Sequence, residues 1–262
     1  MDPQAYDAFT AALREALARR PDVLGLVALG SMAGRDYRPD EFSDHDFFVV
    51  VEPASAEPMR QDLSWLPRVD AVLLSFRETA HGLKVIYDDG HLLELAVFTP
   101  DELALARVNR YRVLLDRGDV TTRMEAVAQD TALAGAAAAA TDEALLGQLL
   151  SALLVGVGRH QRGERVSGRN LVHAQALRHL LVLLERHVPS ERRGLLDDLD
   201  PHRRFEAVYP ELGRQVESAL SHATPRAAVL LLDLAEQELQ ERVERFPYDA
   251  CAVVRSRLHH PR

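Results

Sequence analysis

The chain has 262 residues, 47% hydrophobic and 27% charged, with a formal net charge of −9. That is the composition of a globular protein, long enough for one large or two ordinary domains with real cores. It lacks the basic footprint of a nucleic-acid binder, and no apolar run approaches the roughly 20 residues of a membrane span. The opening MDPQAYDAFTAALREALARR carries acids and no apolar core, so it does not read as a signal peptide. A single cysteine, Cys251, excludes an internal disulfide and fits a reducing cytoplasm.

In chain order, residues 3–20 carry Phe9, Leu13 and Leu17 at helical spacing, and Pro21 ends that helix. Residues 23–30 read as a strand and 45–52 as the next. Residues 53–58, bounded by prolines, read as a break, 59–66 as a short helix and 70–75 as a third strand. Two apolar runs, 83–87 and 92–98, flank Asp88-Asp89-Gly90, a strong local signal for a hairpin. Thr99-Pro100-Asp101-Glu102 opens a short helix, with Thr at the cap and Glu three residues on. Residues 111–116 form a last short strand. From Arg117 the texture becomes helical: an alanine run over 135–140, then leucines at helical spacing over 143–157, 170–187 and 227–245. Prolines stand between those segments, so the expectation is a bundle of about five helices starting near residue 117.

The stretch around which the chain is organised runs from Leu29 to Val51. Gly30-Ser31 follows the first apolar run directly, and twelve residues later come Asp44-His45-Asp46 at the start of the second. Side chains two apart share one strand face, so both carboxylates aim at one spot, where a hard divalent cation, Mg²⁺ above all, would bind. Gly30 permits close backbone approach, and the Ser31 hydroxyl with neighbouring N–H groups suits phosphate oxygens. His45, between the aspartates, points to the opposite face.

Apolar strand, Gly-Ser, a spacer of this length and Asp-x-Asp on the next strand resemble the signature of the DNA-polymerase-β-type nucleotidyltransferase superfamily. Lys84 to Phe98 and Tyr111-Arg112-Val113-Leu114-Leu115-Asp116 look like bacterial aminoglycoside and lincosamide nucleotidyltransferases, whose helical C-terminal half helps bind the acceptor. The resemblance implies an α+β protein: a nucleotidyltransferase α/β domain with a mixed sheet at 1–116 and an all-α acceptor-binding domain at 117–262. It also implies a third carboxylate on a neighbouring strand. Glu94 fits, as the one charge inside the run Leu92–Phe98, although many relatives carry aspartate there.

The activity so implied moves a nucleoside monophosphate, AMP from ATP as first choice, to a hydroxyl of a small antibiotic-like acceptor and releases pyrophosphate. Asp44, Asp46 and Glu94 would hold two Mg²⁺ ions, with Glu94 as first choice for general base. Gly30, Ser31, Arg35, Ser43 and Lys84 are the candidates for nucleotide contact. Glu164, in the polar cluster of residues 159–165, is the fallback base or acceptor contact, against its plain reading as an exposed helix end. The negative charge is compatible with a cationic acceptor, and a homodimer is compatible with the sequence; neither nucleic acid nor membrane is expected as partner. Two alternatives stay open: an enzyme that nucleotidylates a protein in a toxin–antitoxin pair, and a catalytically silent nucleotide-binding regulatory module.

Overall fold

The computed structural model describes residues 3–33, 40, 42–137, 139–197 and 199–259. Two compact units divide after Ala137.

The first unit is built on a six-stranded mixed sheet. Its strands are β1 (Val23–Leu29), β2 (His45–Val51), β3 (Val72–Arg77), β4 (Gly82–Tyr87), β5 (Leu92–Phe98) and β6 (Tyr111–Asp116), in the order β3-β4-β5-β2-β1-β6. The β2–β5 ladder is parallel, and the four others are antiparallel. Helix α1 (Pro3–Ala18) lays Tyr6, Phe9, Leu13 and Leu17 on one sheet face, against Phe47, Val49, Leu93 and Leu95. Helix α2 (Pro53–Gln61) adds Ala56 and Met59 to the same core. On the other face Val27, Val50, Ala96 and Phe98 are covered by Leu103 and by Val120, Met124 and Val127 of α3 (Val120–Ala137).

That packing moves the domain boundary. An end to the first domain at Asp116 would detach α3, whose Val120 and Met124 are fully buried in the core over the sheet. The alanine run is helical only as far as Ala137; residues 139 and 140 are not helical. The expected break over 53–58 is instead the body of α2: Pro53 stands in the first helical turn, where its missing donor would be unpaired anyway, and Pro58 is carried inside the helix. The helix expected over 59–66 ends at Gln61. The hairpin stands as read: Gly90 takes φ +80° in the turn between β4 and β5. So does the capped start after Phe98: Thr99 N–H donates to Glu102 Oε2 and Glu102 N–H to Thr99 Oγ1, although only a short 3-10 turn follows.

The second unit is helical throughout its regular elements: α4 (Asp142–Gln161), α5 (Arg165–Asn170), α6 (Leu177–His187), α7 (Phe205–Val208), α8 (Pro210–Leu220), α9 (Thr224–Leu239) and α10 (Tyr248–His259). A π-turn, Leu171–Ala176, joins α5 to α6 without a break. Gly156 and Gly168 let α4 and α5 approach closely: a Cβ at Gly168 would lie 2.6 Å from the Gly156 carbonyl oxygen. Leu149 and Leu153 of α4, Leu180 and Leu184 of α6 and Leu231 and Leu232 of α9 make its core. The chain is thus an α+β protein: a mixed-sheet unit followed by an all-α unit. Among the described residues no helix is long and apolar enough to cross a membrane.

Candidate active site

Strand alternation assembles the site on the sheet face that α3 partly covers. In β2, His45, Phe47 and Val49 point into the α1 side, so Asp46 and Phe48 point to the other. Asp44 lies just ahead of the strand; it and Asp46 are half-buried, and His45 between them is fully buried. In β5, Leu93 and Leu95 belong to the α1 side, which sends Glu94 to the face of Asp46. The parallel register pairs Asp46 with Glu94 directly, on strands roughly 5 Å apart. One strand further, the antiparallel register sets Lys84 beside Glu94. Glu94, the lone charge of its apolar strand, therefore has a partner: Lys84 Nζ lies 2.9 Å from Glu94 Oε1 and 3.0 Å from Glu78 Oε1. The hydrogen bonds that the Lys84 ammonium donates to Glu94 and then to Glu78 raise its pKa above the ordinary value.

Gly30 closes the site on the β1 side. Its φ of +54° is left-handed, and a Cβ built there would stand 3.0 Å from Asp46 Oδ2. The absence of a side chain is what brings this backbone against the Asp46 carboxylate. Ser31 follows in the 3-10 turn Gly30–Ala33, and Arg35 lies outside the described residues. The Ser43 hydroxyl is engaged locally: it donates to Asp40 Oδ1 and accepts from Asp40 N–H, each at 3.0 Å. That bonding gives it a turn-forming role ahead of Asp44.

Behind the carboxylates is an arrangement that sequence reading did not assemble. Tyr6 donates its hydroxyl to the Asp44 carbonyl oxygen at 2.8 Å, and its ring stacks on His45 with centroids 3.7 Å apart. His45 Nδ1 and His91 Nε2 share a 2.7 Å hydrogen bond. Burial lowers the pKa of His45 to about 3 and that of His91 to about 4, so both rings are neutral near pH 7. The one available clue was that Tyr6 lies three residues before Phe9 on the apolar face of α1, and His91 directly after the Asp-Gly turn. The effect is to fix the backbone that carries Asp44 and Asp46.

Glu164 is in the second unit, just before α5, exposed and bound to its own helix end. Arg162 Nε lies 3.0 Å from one of its oxygens and Arg159 Nε 4.0 Å from the other.

Asp44, Asp46 and Glu94 offer carboxylate oxygens, the donor type of a hard divalent cation. In kind the set fits Mg²⁺, with Asp44 and Asp46 as a pair and Glu94 one strand away. In grouping it is incomplete: among the described residues no three His, Cys, Asp or Glu side chains already form a cation cage. Glu94 is turned to Lys84 instead.

No family model matches the chain, and no curated protein does either. Among the solved structures to which the chain is similar are the following two. An aminoglycoside 6-adenyltransferase from Bacillus subtilis shares 12% identity over 96% of this chain and 96% of its own, at a TM-score of 0.39. The Bradyrhizobium diazoefficiens CD-NTase CdnG in complex with GTP shares 16% identity over 99% of this chain and 94% of its own, at a TM-score of 0.29.

Proposed function

We propose that the chain is a nucleotidyltransferase that moves AMP from ATP to a hydroxyl of a small molecule and releases pyrophosphate. The observation that carries this reading is the Gly30–Asp46–Glu94 arrangement: a side-chain-free, left-handed backbone corner against one carboxylate, with a second carboxylate in register on the parallel neighbour. A phosphate chain can approach at Gly30 without meeting a Cβ, which brings its α-phosphorus next to Asp46. The acceptor oxygen attacks that phosphorus, and the bond to the bridging oxygen of pyrophosphate breaks. The hydroxyl proton passes to a base, for which Glu94 is our candidate. Asp44 and Asp46 would hold Mg²⁺, with Glu94 able to join them; bound there, the cation would neutralise charge on the phosphates and the leaving pyrophosphate. Tyr6 and the His45–His91 pair hold the aspartate backbone still, and positioning together with charge neutralisation supplies most of the rate in phosphoryl transfer.

For the acceptor, the resemblance to antibiotic nucleotidyltransferases and the net charge of −9 both favour a cationic, hydroxyl-bearing compound. The helical unit is our candidate for holding it. Incubation with labelled ATP, Mg²⁺ and a panel of aminoglycosides and lincosamides tests the reading, with a nucleotidylated product detected by mass. A product is expected with at least one member. ATP that neither binds nor turns over would contradict the assignment.

A further inference from the structure

Lys84 holds the carboxylate to which the proposed chemistry assigns the proton. Its ammonium bridges Glu94 and Glu78 at 2.9 and 3.0 Å, so one oxygen of Glu94 is committed away from Asp46. Two further observations bear on it. No carboxylate cage stands ready among the described residues, although Asp46 and Glu94 are in register. And Lys84 is the one lysine in a chain whose Lys and Arg together number 31. An arginine fork would clamp a carboxylate through two parallel bonds, whereas an ammonium on a flexible stem exchanges partners readily. The pair is also partly solvated, with side-chain exposures of 25% for Lys84 and 34% for Glu94. Ion pairs of that kind change an equilibrium constant by only about two- to fivefold, so a triphosphate can outbid the carboxylate for the ammonium.

We propose that Lys84 is a nucleotide-operated latch on Glu94: it holds the carboxylate until a triphosphate draws the ammonium away, and so frees Glu94 for cation and acceptor only when donor is bound. The inference rests on the nucleotidyl-transfer reading and adds an order of events to it. Before donor binds, a divalent cation meets Asp44 and Asp46 only; afterwards Glu94 joins. Glu78 keeps the freed lysine close to the strand.

Mn²⁺ titrations of the full chain, followed by electron paramagnetic resonance, test this without turnover. The proteins are wild type, Lys84→Met, Glu94→Gln, the double variant and Asp46→Asn, each with and without an ATP analogue carrying a methylene between the α and β phosphorus atoms. Without nucleotide, Lys84→Met should bind Mn²⁺ about two- to fivefold more tightly than wild type. That gain should vanish in the Glu94→Gln background, and wild type should match Lys84→Met once the analogue saturates both. No gain in Lys84→Met, or an equal gain when Glu94 is already Gln, would overturn the latch. Undiminished Mn²⁺ binding by Asp46→Asn would instead overturn the site reading itself, and the latch with it.

Discussion

Asp46 on β2 and Glu94 on β5 are paired residue for residue across the parallel ladder of the sheet, so one face carries both carboxylates. Their surroundings differ: Asp46 meets the bare backbone of Gly30, and Glu94 meets the ammonium of Lys84. Under the proposed function, that difference assigns Asp46 towards cation and phosphate and Glu94 towards the acceptor proton.

Glu94→Gln keeps an oxygen but cannot take a proton. General-base assistance is typically worth about 10²–10⁴-fold, so kcat should fall by that order while ATP still binds. Glu164→Gln should keep the wild-type kcat, because Glu164 is tied to Arg162 and Arg159 on an exposed helix end. Single-turnover rates of both variants at saturating Mg²⁺ and ATP decide; a loss in Glu164→Gln alone would move the base to the helical unit.

Gly30→Ala forces a Cβ into a left-handed residue, a strain of about 1–2 kcal/mol, and sets it 3.0 Å from Asp46 Oδ2. A lower melting temperature and a weaker ATP titration should appear together. Unchanged ATP affinity would place the phosphates elsewhere.

A fragment of residues 1–137 should fold and retain nucleotide binding, and one of residues 1–116 should not. The shorter fragment uncovers Val27 and Val50 and lacks Val120 and Met124, all fully buried in the intact unit. Burial of one such side chain is worth about 1.5–3 kcal/mol, so their loss exceeds what a small domain can spare. Circular dichroism melts of the two fragments check this; a cooperative melt from the shorter one would restore the boundary at 116.

His91 has a folded pKa of about 4 against an ordinary value of 6.5, because burial disfavours its cation. The unfolded chain therefore binds the extra proton first as pH falls. The contribution of neutral His91 is complete above about 6.5 and is lost progressively towards pH 4. Melting temperature should drop across that window, and His91→Gln should flatten the slope. A slope that survives in the variant would assign it to other groups.

Much of the candidate site's geometry was legible because its signals are local. Period-two alternation around Asp46 and Glu94, the Asp-Gly turn after Tyr87 and the glycine ahead of Ser31 each act over a few residues. What escaped depends on partners distant in sequence. Whether α3 belongs to the sheet is decided by Val120 and Met124 meeting Val27 and Val50, and its alanine-rich composition matches the helices downstream equally well. The Lys84–Glu94 pair follows from the β4–β5 register, and the His45–His91 bond from where the hairpin returns beside β2. The π-turn at Leu171–Ala176 has ordinary helical leucine spacing and stands beside the Gly156–Gly168 approach.

The most direct test follows the label from ATP carrying it at the α-phosphorus, in wild type, Asp44→Asn and Asp46→Asn, with Mg²⁺ and the acceptor panel. The account predicts label on an acceptor and one pyrophosphate per transfer in wild type. In both variants, still folded by circular dichroism, transfer should fall by about 100-fold or more. Transfer at the wild-type rate in both variants, or label released only as free AMP by wild type, would contradict it.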